Sequence, residues 1–458
     1  MSRDDLARYQ AAACYLNEGL IRRGVEADGP RPLLTRRQRM AAFLPRLEHP
    51  ERSFRAVHVA GTSGKGSICV MLAELLRAAG VRTGLHVTPY LQVFTEKLWV
   101  DGRYASAEEL GRLVDWIRPH AEAERGPDVP MHGMASVAIT LEHFRRQRVE
   151  LGVVEVGVGG RHDLTTVLDT AVAVVGAIGL DHLKTLGPTL EEIAWHKAGI
   201  IVPGCRAVVL DGPGRPAAQR EAARHDVPLR IVDRSCYGLR AGPGGRPLFN
   251  YTGRRLALRD LELAMPGPFQ AENAALALAA LEELELDQLS APALGAALSR
   301  ARLPGRGEIL PRLRPESSPV LLDGAHNADK LAAFAGTLAE HGGRRLHVLY
   351  GGLHGRTPDQ ALRELAARAA TFVVTRPPVY GKQPRPLEEV AASLDRHPAL
   401  ILEPDAGRAL DRILEVCSRD DLLVVTGSIY LVGALRGRWY ADEQVLLERT
   451  SWPSVTRR

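Results

Sequence analysis

Residues His58-Val-Ala-Gly-Thr-Ser-Gly-Lys-Gly-Ser67 set three glycines between an apolar run and a helical pattern, and a chain that makes this turn is steered toward a parallel sheet wrapped by helices. Gly61, Gly64 and Gly66 permit backbone conformations that a side chain would forbid, so successive N–H groups can point inward at an anion. The helix that follows, expected over about Ser67–Ala79, turns its positive dipole end to the same place. Lys65 adds a mobile point charge, and Thr62, Ser63 and Ser67 add hydroxyls suited to phosphate or Mg²⁺. The spacing departs from GxxxxGK[ST], because Gly64 lies three positions after Gly61 and Gly66 intervenes before Ser67. The pattern reads as a nucleotide triphosphate site; a glycine-rich turn that binds nothing is the alternative at this point.

Composition narrows the class. The 458 residues leave room for two or three domains, and 45% hydrophobic with 25% charged residues describes an ordinary globular chain. A net charge of +5, not gathered into basic blocks, argues for small anionic substrates and against nucleic acid. Apolar stretches stay short of the roughly 18 residues that span a bilayer, and MSRDDLARYQ lacks a signal-peptide pattern, so a cytoplasmic protein without membrane partners is expected. Five scattered cysteines without a CxxC pair speak against a disulfide framework or a structural zinc site. Only six of the 59 basic residues are lysine. In a chain whose default cation is arginine, Lys65 and Lys197 therefore draw notice, since an amine can act as a nucleophile or accept CO₂ while a guanidinium cannot. Taken alone, Lys197 reads as a surface helix lysine.

Apolar runs predict strands at Ala56–Ala60, Thr83–Val87, Leu151–Val156 and Val172–Ile178, alternating with helices at Ala107–Glu124, Ala135–Gln147 and Thr189–Ala198. The stretch from about Ala207 to Met265, broken by Ala241-Gly-Pro-Gly-Gly-Arg246, reads as irregular or β-rich, and an alanine-rich helix follows at Ala271–Leu284. A second series then places strands at Val320–Asp323, Leu346–Tyr350, Phe372–Thr375, Leu400–Glu403 and Leu422–Thr426. Its helices are expected at Ala328–His341, Pro358–Ala370, Leu387–Leu394 and Ala406–Ser418. That is a doubly wound, Rossmann-like pattern without GxGxxG.

Polar groups fall at the expected strand ends, where open parallel sheets bind ligands. Glu155 runs into Val156-Gly-Val-Gly-Gly-Arg-His-Asp163, and Asp181-His182 closes the next strand; each could reach a metal or simply be satisfied locally. Their order resembles the Mur ligase superfamily and, within it, the folylpolyglutamate synthase/dihydrofolate synthase family. Gly61–Ser67 is similar to that family's P-loop, Thr88-Pro-Tyr-Leu91 and Thr95–Gly102 to its substrate loop, and Glu155–Asp163 to EVGxGGRxD. Gly179–His182 with His196-Lys-Ala-Gly-Ile200 is similar to DH…KAGI, Gln270–Ala275 to QxxNAxxA, Leu303–Arg306 to PGR, Leu322–Asn327 to DGAHN, and Thr426-Gly-Ser428 to TGS.

The resemblance implies an α/β fold with a P-loop Mur-ligase-type ATPase domain over residues 1–303 and a Rossmann-like glutamate ligase domain over 304–458, hinged near Pro304–Arg306. It implies that Ser63, Gly64, Lys65, Gly66 and Ser67 hold ATP phosphates, that Thr88, Glu155 and His182 approach two Mg²⁺ ions, and that Lys197 is carbamylated and organises the second metal. Asn273, Arg306 and Asp323 would hold the nucleotide, and His326 the reacting phosphate or the amino acid. The implied reaction converts a carboxylate to an acyl phosphate that an amine attacks, joining L-glutamate to dihydropteroate or a folate in a monomeric enzyme; a non-folate acid or an inactive ATP binder is the alternative. Departures gather near the acceptor: Tyr90 stands where the family has His, Lys97 where it has Arg, Thr166 for Asn, Gly307 for Phe, and Gly355-Arg-Thr357 for a DKD-like stretch.

Overall fold

The computed structural model describes residues 2–20, 34–124, 130–243, 247–287, 289–313, 315–355, 358–379, 382–394 and 397–454. Arg356 and Thr357, and residues 244–246 of the glycine-rich stretch, lie outside the described residues. The chain divides into two compact units. One comprises Met1–Tyr90, Phe94–Ala264 and Pro268–Arg302, the other Leu91–Val93, Met265–Gly267 and Leu303–Arg458.

In the first unit, β1 (Arg55–Ala60), β2 (Thr83–His86), β3 (Trp99–Val100), β4 (Arg103–Tyr104), β5 (Leu151–Glu155), β6 (Thr170–Val175), β7 (Arg206–Leu210) and β8 (Leu229–Val232) form one sheet. Their order is β4-β3-β2-β5-β1-β6-β7-β8. The pairs are parallel except at the β3/β4 edge. β1 is central, and Ala56, Val57, Val59 and Ala60 are fully buried, as a strand covered on both faces requires. Its register sets Val59 opposite Glu155 and Ala60 opposite Val175, so three strands end at one edge around Gly61.

The expected strand Val172–Ile178 is observed as Thr170–Val175: Gly176 N–H to Ala60 O (2.8 Å) is the last rung of the β1/β6 ladder, and beyond it Ala177 O accepts from Thr62 N–H of the glycine loop (2.8 Å). The helix after β1 starts at Lys65 rather than Ser67, since Gly64 at φ +81° turns the chain sharply enough. The stretch read as irregular or β-rich is β-rich, with one helix that the reading did not place. It contains β7, a helix at Arg215–His225 and β8 in the main sheet, then an antiparallel sheet β11-β10-β9 from β9 (Tyr237–Ala241), β10 (Pro247–Thr252) and β11 (Ala257–Leu261). The helix escapes a periodicity reading because its buried face is Ala217, Ala218, Glu221 and Ala222, small or charged residues rather than large apolar ones.

The second unit carries β12 (Glu308–Leu310), β13 (Val320–Leu322), β14 (Leu346–Tyr350), β15 (Ala369–Val374), β16 (Leu400–Leu402) and β17 (Leu422–Thr426) in the order β12-β13-β17-β14-β15-β16. All pairs are parallel except β12 with β13. Val348, Phe372, Val374, Leu362, Leu365 and Val424 form its core. β12 and the helices Ile429–Arg436 and Asp442–Glu448 were not anticipated. A buried cation ties β12 to the first of these helices: the Arg436 guanidinium Nε donates to both Glu308 carboxylate oxygens (2.9 Å each), Nη1 to Gln92 Oε1 and Nη2 to Ser451 O (2.5 Å each). These partners are far apart in sequence, so no local pattern announces them.

Candidate active site

At the end of β1 the chain passes through Gly61–Gly64 into the helix Lys65–Ala78. Gly64 is its N-cap, and a glycine has no side chain to occupy the first helical N–H groups, so no side chain caps them. A Cβ at Gly64 would collide with Asn273 Oδ1, so the position is closed to other residues by contact as well as by φ. Asn273 is itself buried on the helix Phe269–Glu283, where its Nδ2 donates to Gln270 Oε1 (2.9 Å). Ser63, Gly64, Lys65 and Gly66 are half-buried and Ser67 is buried. Thr62 departs from expectation. Its N–H donates to Ala177 O (2.8 Å), and its hydroxyl donates to Gly179 O and accepts from Gly179 N–H, both at 3.0 Å. That hydroxyl fastens the loop to the strand-end wall and is already committed.

Charged groups close on the loop from β2, β5 and the helix Leu190–Ala198. Lys65 Nζ lies 3.8 Å from Glu155 Oε1, and Glu155 Oε2 accepts from Thr88 N–H at 2.9 Å. Lys197, only 4% exposed, donates from Nζ to Gly61 O at 2.8 Å. Its helix is started by a capping box in which Thr189 and Glu192 bond each other's backbone N–H, and this fixes where the last turn delivers Lys197. Lys97, which the sequence reading noted without giving it a role, donates to Ser136 Oγ (3.2 Å) and Thr88 Oγ1 (3.4 Å). Burial pushes its ammonium down to about 8, against the pull of Glu155 and Asp163. Lys65, Thr88, Glu155 and Lys197 are thus gathered around one loop. His182 is exposed, at φ +53° on the turn that opens the helix Leu183–Leu186, with its N–H donating to Asp181 Oδ1 (3.0 Å). Among the described residues, no set of three or more His, Cys, Asp or Glu side chains is gathered to hold a metal. The oxygen donors of Glu155 and Thr88 suit a hard cation such as Mg²⁺, which keeps waters and takes further oxygens from substrate phosphates.

A second tier fixes the turn after β5. Asp163 Oδ2 accepts from Val158 N–H (3.0 Å), while Oδ1 accepts from Thr165 N–H (3.1 Å) and its hydroxyl (2.7 Å). Because that hydroxyl proton is spent on Asp163, His58 Nε2 donates to Thr165 Oγ1 at 2.8 Å. Burial pushes the His58 imidazole down to about 4, and Asp163 offsets this only in part. The signal for this tier was a histidine inside an apolar central strand.

In the second unit, Asp323 at the end of β13 accepts from Gly307 N–H (2.9 Å) and Ala325 N–H (2.8 Å). Burial raises its carboxyl, with Arg306 the strongest opposing influence. His326 Nδ1 donates to Gly324 O (2.9 Å), and Lys330 Nζ stands 3.3 Å from its Nε2. Asn327 Oδ1 caps the helix Ala328–Thr337 through Lys330 N–H (2.9 Å). Arg306, Asp323 and His326 therefore meet on one turn, with Lys330 as a member that motif reading missed.

Residues 59–281 match the Mur ligase middle domain, and residues 305–429 match the Mur ligase glutamate ligase domain. The dihydrofolate synthase/folylpolyglutamate synthase of Bacillus subtilis (strain 168) is 31% identical over 417 residues, covering 87% of this chain and 94% of that protein. The chain belongs to the folylpolyglutamate synthase/dihydrofolate synthase family. It is an ATP-dependent ligase of the Mur ligase type. Solved members share the fold. Mycobacterium tuberculosis folylpolyglutamate synthase complexed with ADP and AMPPCP superposes with a TM-score of 0.82 at 27% identity, over 96% of this chain and 100% of that one. The bifunctional Yersinia pestis enzyme with AMPPNP and a Mn ion gives 0.76 at 26% identity, over 96% and 99%. Among the described residues no helix is long and apolar enough to cross a membrane.

Proposed function

We propose that this ligase joins L-glutamate to the carboxylate of a folate-type acceptor, dihydropteroate or a folate, through an acyl phosphate formed with ATP. The observation that carries the reading is the meeting of Lys65, Glu155, Thr88 and Lys197 on a glycine loop whose helix N-terminus is left open. Residues 1–303 are taken as the ATP-handling part and 304–458 as the glutamate ligase part.

Phosphoryl transfer between two anions needs its charge offset and its geometry held, and the chain supplies both. The loop N–H groups with Ser63, Gly64, Gly66 and Ser67 would hold phosphate oxygens, Lys65 would neutralise the transferred group, and Asn273 would keep the loop closed against its helix. Arg306 and Asp323 would serve the nucleotide, and His326 the reacting phosphate or the amine. Thr88, Glu155, His182 and a carbamylated Lys197 would hold two Mg²⁺ ions, which supply Lewis-acid stabilisation of the transferring charge. A carbamate on Lys197 retains an N–H that can still donate to Gly61 O, so the observed bond is compatible with the modification.

The test is phosphate release from ATP and Mg²⁺ with L-glutamate, comparing dihydropteroate, tetrahydrofolate and no acceptor, with product mass determined. A gain of one glutamyl unit on either pterin is expected. Silence with both from protein that binds ATP would move the acceptor outside the folates. Size-exclusion at working concentration checks the expected monomer.

A further inference from the structure

Lys330 breaks a local rule. A side chain in the first turn of a helix leans toward the helix N-terminus, and there a cation meets the positive end of the backbone dipole. Lys330 does this: its Nζ lies 3.3 Å from Nε2 of His326, a residue that precedes the N-cap Asn327. His326 Nδ1 donates to Gly324 O (2.9 Å), which leaves Nε2 as the lone-pair nitrogen facing the ammonium. A second cation shares the turn, because the Arg306 guanidinium packs against Gly324. Asp323 offsets part of this charge. Asp323 spends its oxygens on Gly307 and Ala325 N–H, and Asp329 is exposed in the first helical turn.

An independent observation points the same way. The Asn327 Oδ1 is used as the helix cap, while its Nδ2 is buried without a hydrogen-bond partner among the described residues. A buried donor left without an acceptor costs roughly 1–3 kcal/mol, so the turn bears a cost that an acceptor would remove. Composition adds weight: only six of 59 basic residues are lysine. A lysine kept where the chain ordinarily uses arginine suggests a place for a compact point charge rather than a planar fork.

We propose that Lys330 is a specificity-determining residue of the ligation, its ammonium receiving a carboxylate of the incoming amino acid with the Asn327 amide as a second donor. This rests on the ligase reading given above. Phosphate oxygens of ATP are the other source of the same anionic chemistry, and the kinetics separate the two. Lys330→Ala, Lys330→Arg and the wild type are compared at varied L-glutamate and varied ATP, with L-glutamine as a substrate lacking the side-chain carboxylate and L-isoglutamine as one lacking the α-carboxylate. Thermal midpoints are taken for all three proteins.

The expected result is a KM for L-glutamate raised about tenfold or more in Lys330→Ala, the range of a lost charged hydrogen bond. The kcat should stay within about threefold and the KM for ATP should not move, as befits lost ground-state binding. Lys330→Arg recovers part of the loss, and one of the two amides shows no penalty from Lys330→Ala, which identifies the carboxylate. An unchanged KM for L-glutamate, or a rise confined to ATP, overturns the proposal. If the wild type turns over only with another amino acid, the glutamate reading falls, and the same KM ratio taken with that amino acid decides Lys330.

Discussion

Two helices of this chain begin just past the end of a parallel strand, and they treat their first N–H groups in opposite ways. Lys65–Ala78 follows β1 through a glycine N-cap, so its N-terminus stays open, and the nearest lysine lies toward a carboxylate, Glu155. Ala328–Thr337 follows β13 through Asn327, whose side chain closes one N–H, and the lysine beside it lies against an imidazole. An open N-terminus with a mobile lysine suits the large, multiply charged phosphate tail. A capped one keeps a narrower set of donors, suited to a smaller anion. On the readings proposed above, one strand–turn–helix plan would serve two recognitions, with the choice of N-cap residue separating them.

The comparison can be broken by substitution. Lys65→Ala should lower acceptor-dependent ADP formation by about 10³-fold or more if, as proposed, its charge acts on the transferring phosphoryl group. Retained turnover would remove the first turn from the chemistry. Lys197→Ala should cost about 10²-fold in kcat, with partial rescue by added short carboxylates, and full activity would dismiss the carbamate. For Gly64→Ala, left-handed φ and the collision with Asn273 predict a stability loss of about 1–3 kcal/mol and ATP binding weakened roughly tenfold. Isothermal titration and chemical denaturation read both, and adding Asn273→Ala should relieve the collision while leaving the φ cost.

Acid should strike the first turn through His58. Its folded value is about 4 against 6.5 unfolded, so between those values the unfolded chain takes up a proton that the folded chain refuses. Stability present above pH 6.5 is then lost toward pH 4, at about 1.4 kcal/mol per pH unit from this group. Denaturation curves of His58→Gln should show a shallower dependence, and an unchanged slope would deny the role. The smallest effect belongs to the second turn: Asn327→Ala should cost about 1 kcal/mol as a lost cap and leave the KM for ATP where it was. A raised KM for ATP would erase the distinction between the two turns.

Much of this site is legible from residue order. The glycine loop, Glu155 at a strand end, the capping box ahead of Lys197 and the Asp323–Asn327 turn each depend on neighbours within a few residues, and local geometry is what sequence patterns encode. The helix Arg215–His225 was missed because its buried face lacks large apolar residues, and β12 because a three-residue strand has no period to read.

The sequence by itself determined most of the alternating strand and helix series, the family and the residues proposed to handle phosphate. Tertiary structure decided which of them are available and what each faces. It spent the Thr62 hydroxyl on Gly179, set Lys197 on Gly61 O, and turned Glu155 between Lys65 and Thr88. It also made β5 and β6 the neighbours of β1 and brought Lys330 to His326. Hydrogen bonds and charges act over a few ångströms in space, whatever the separation along the chain, so pairings such as Thr62 with Gly179 appear only when the sheet has closed.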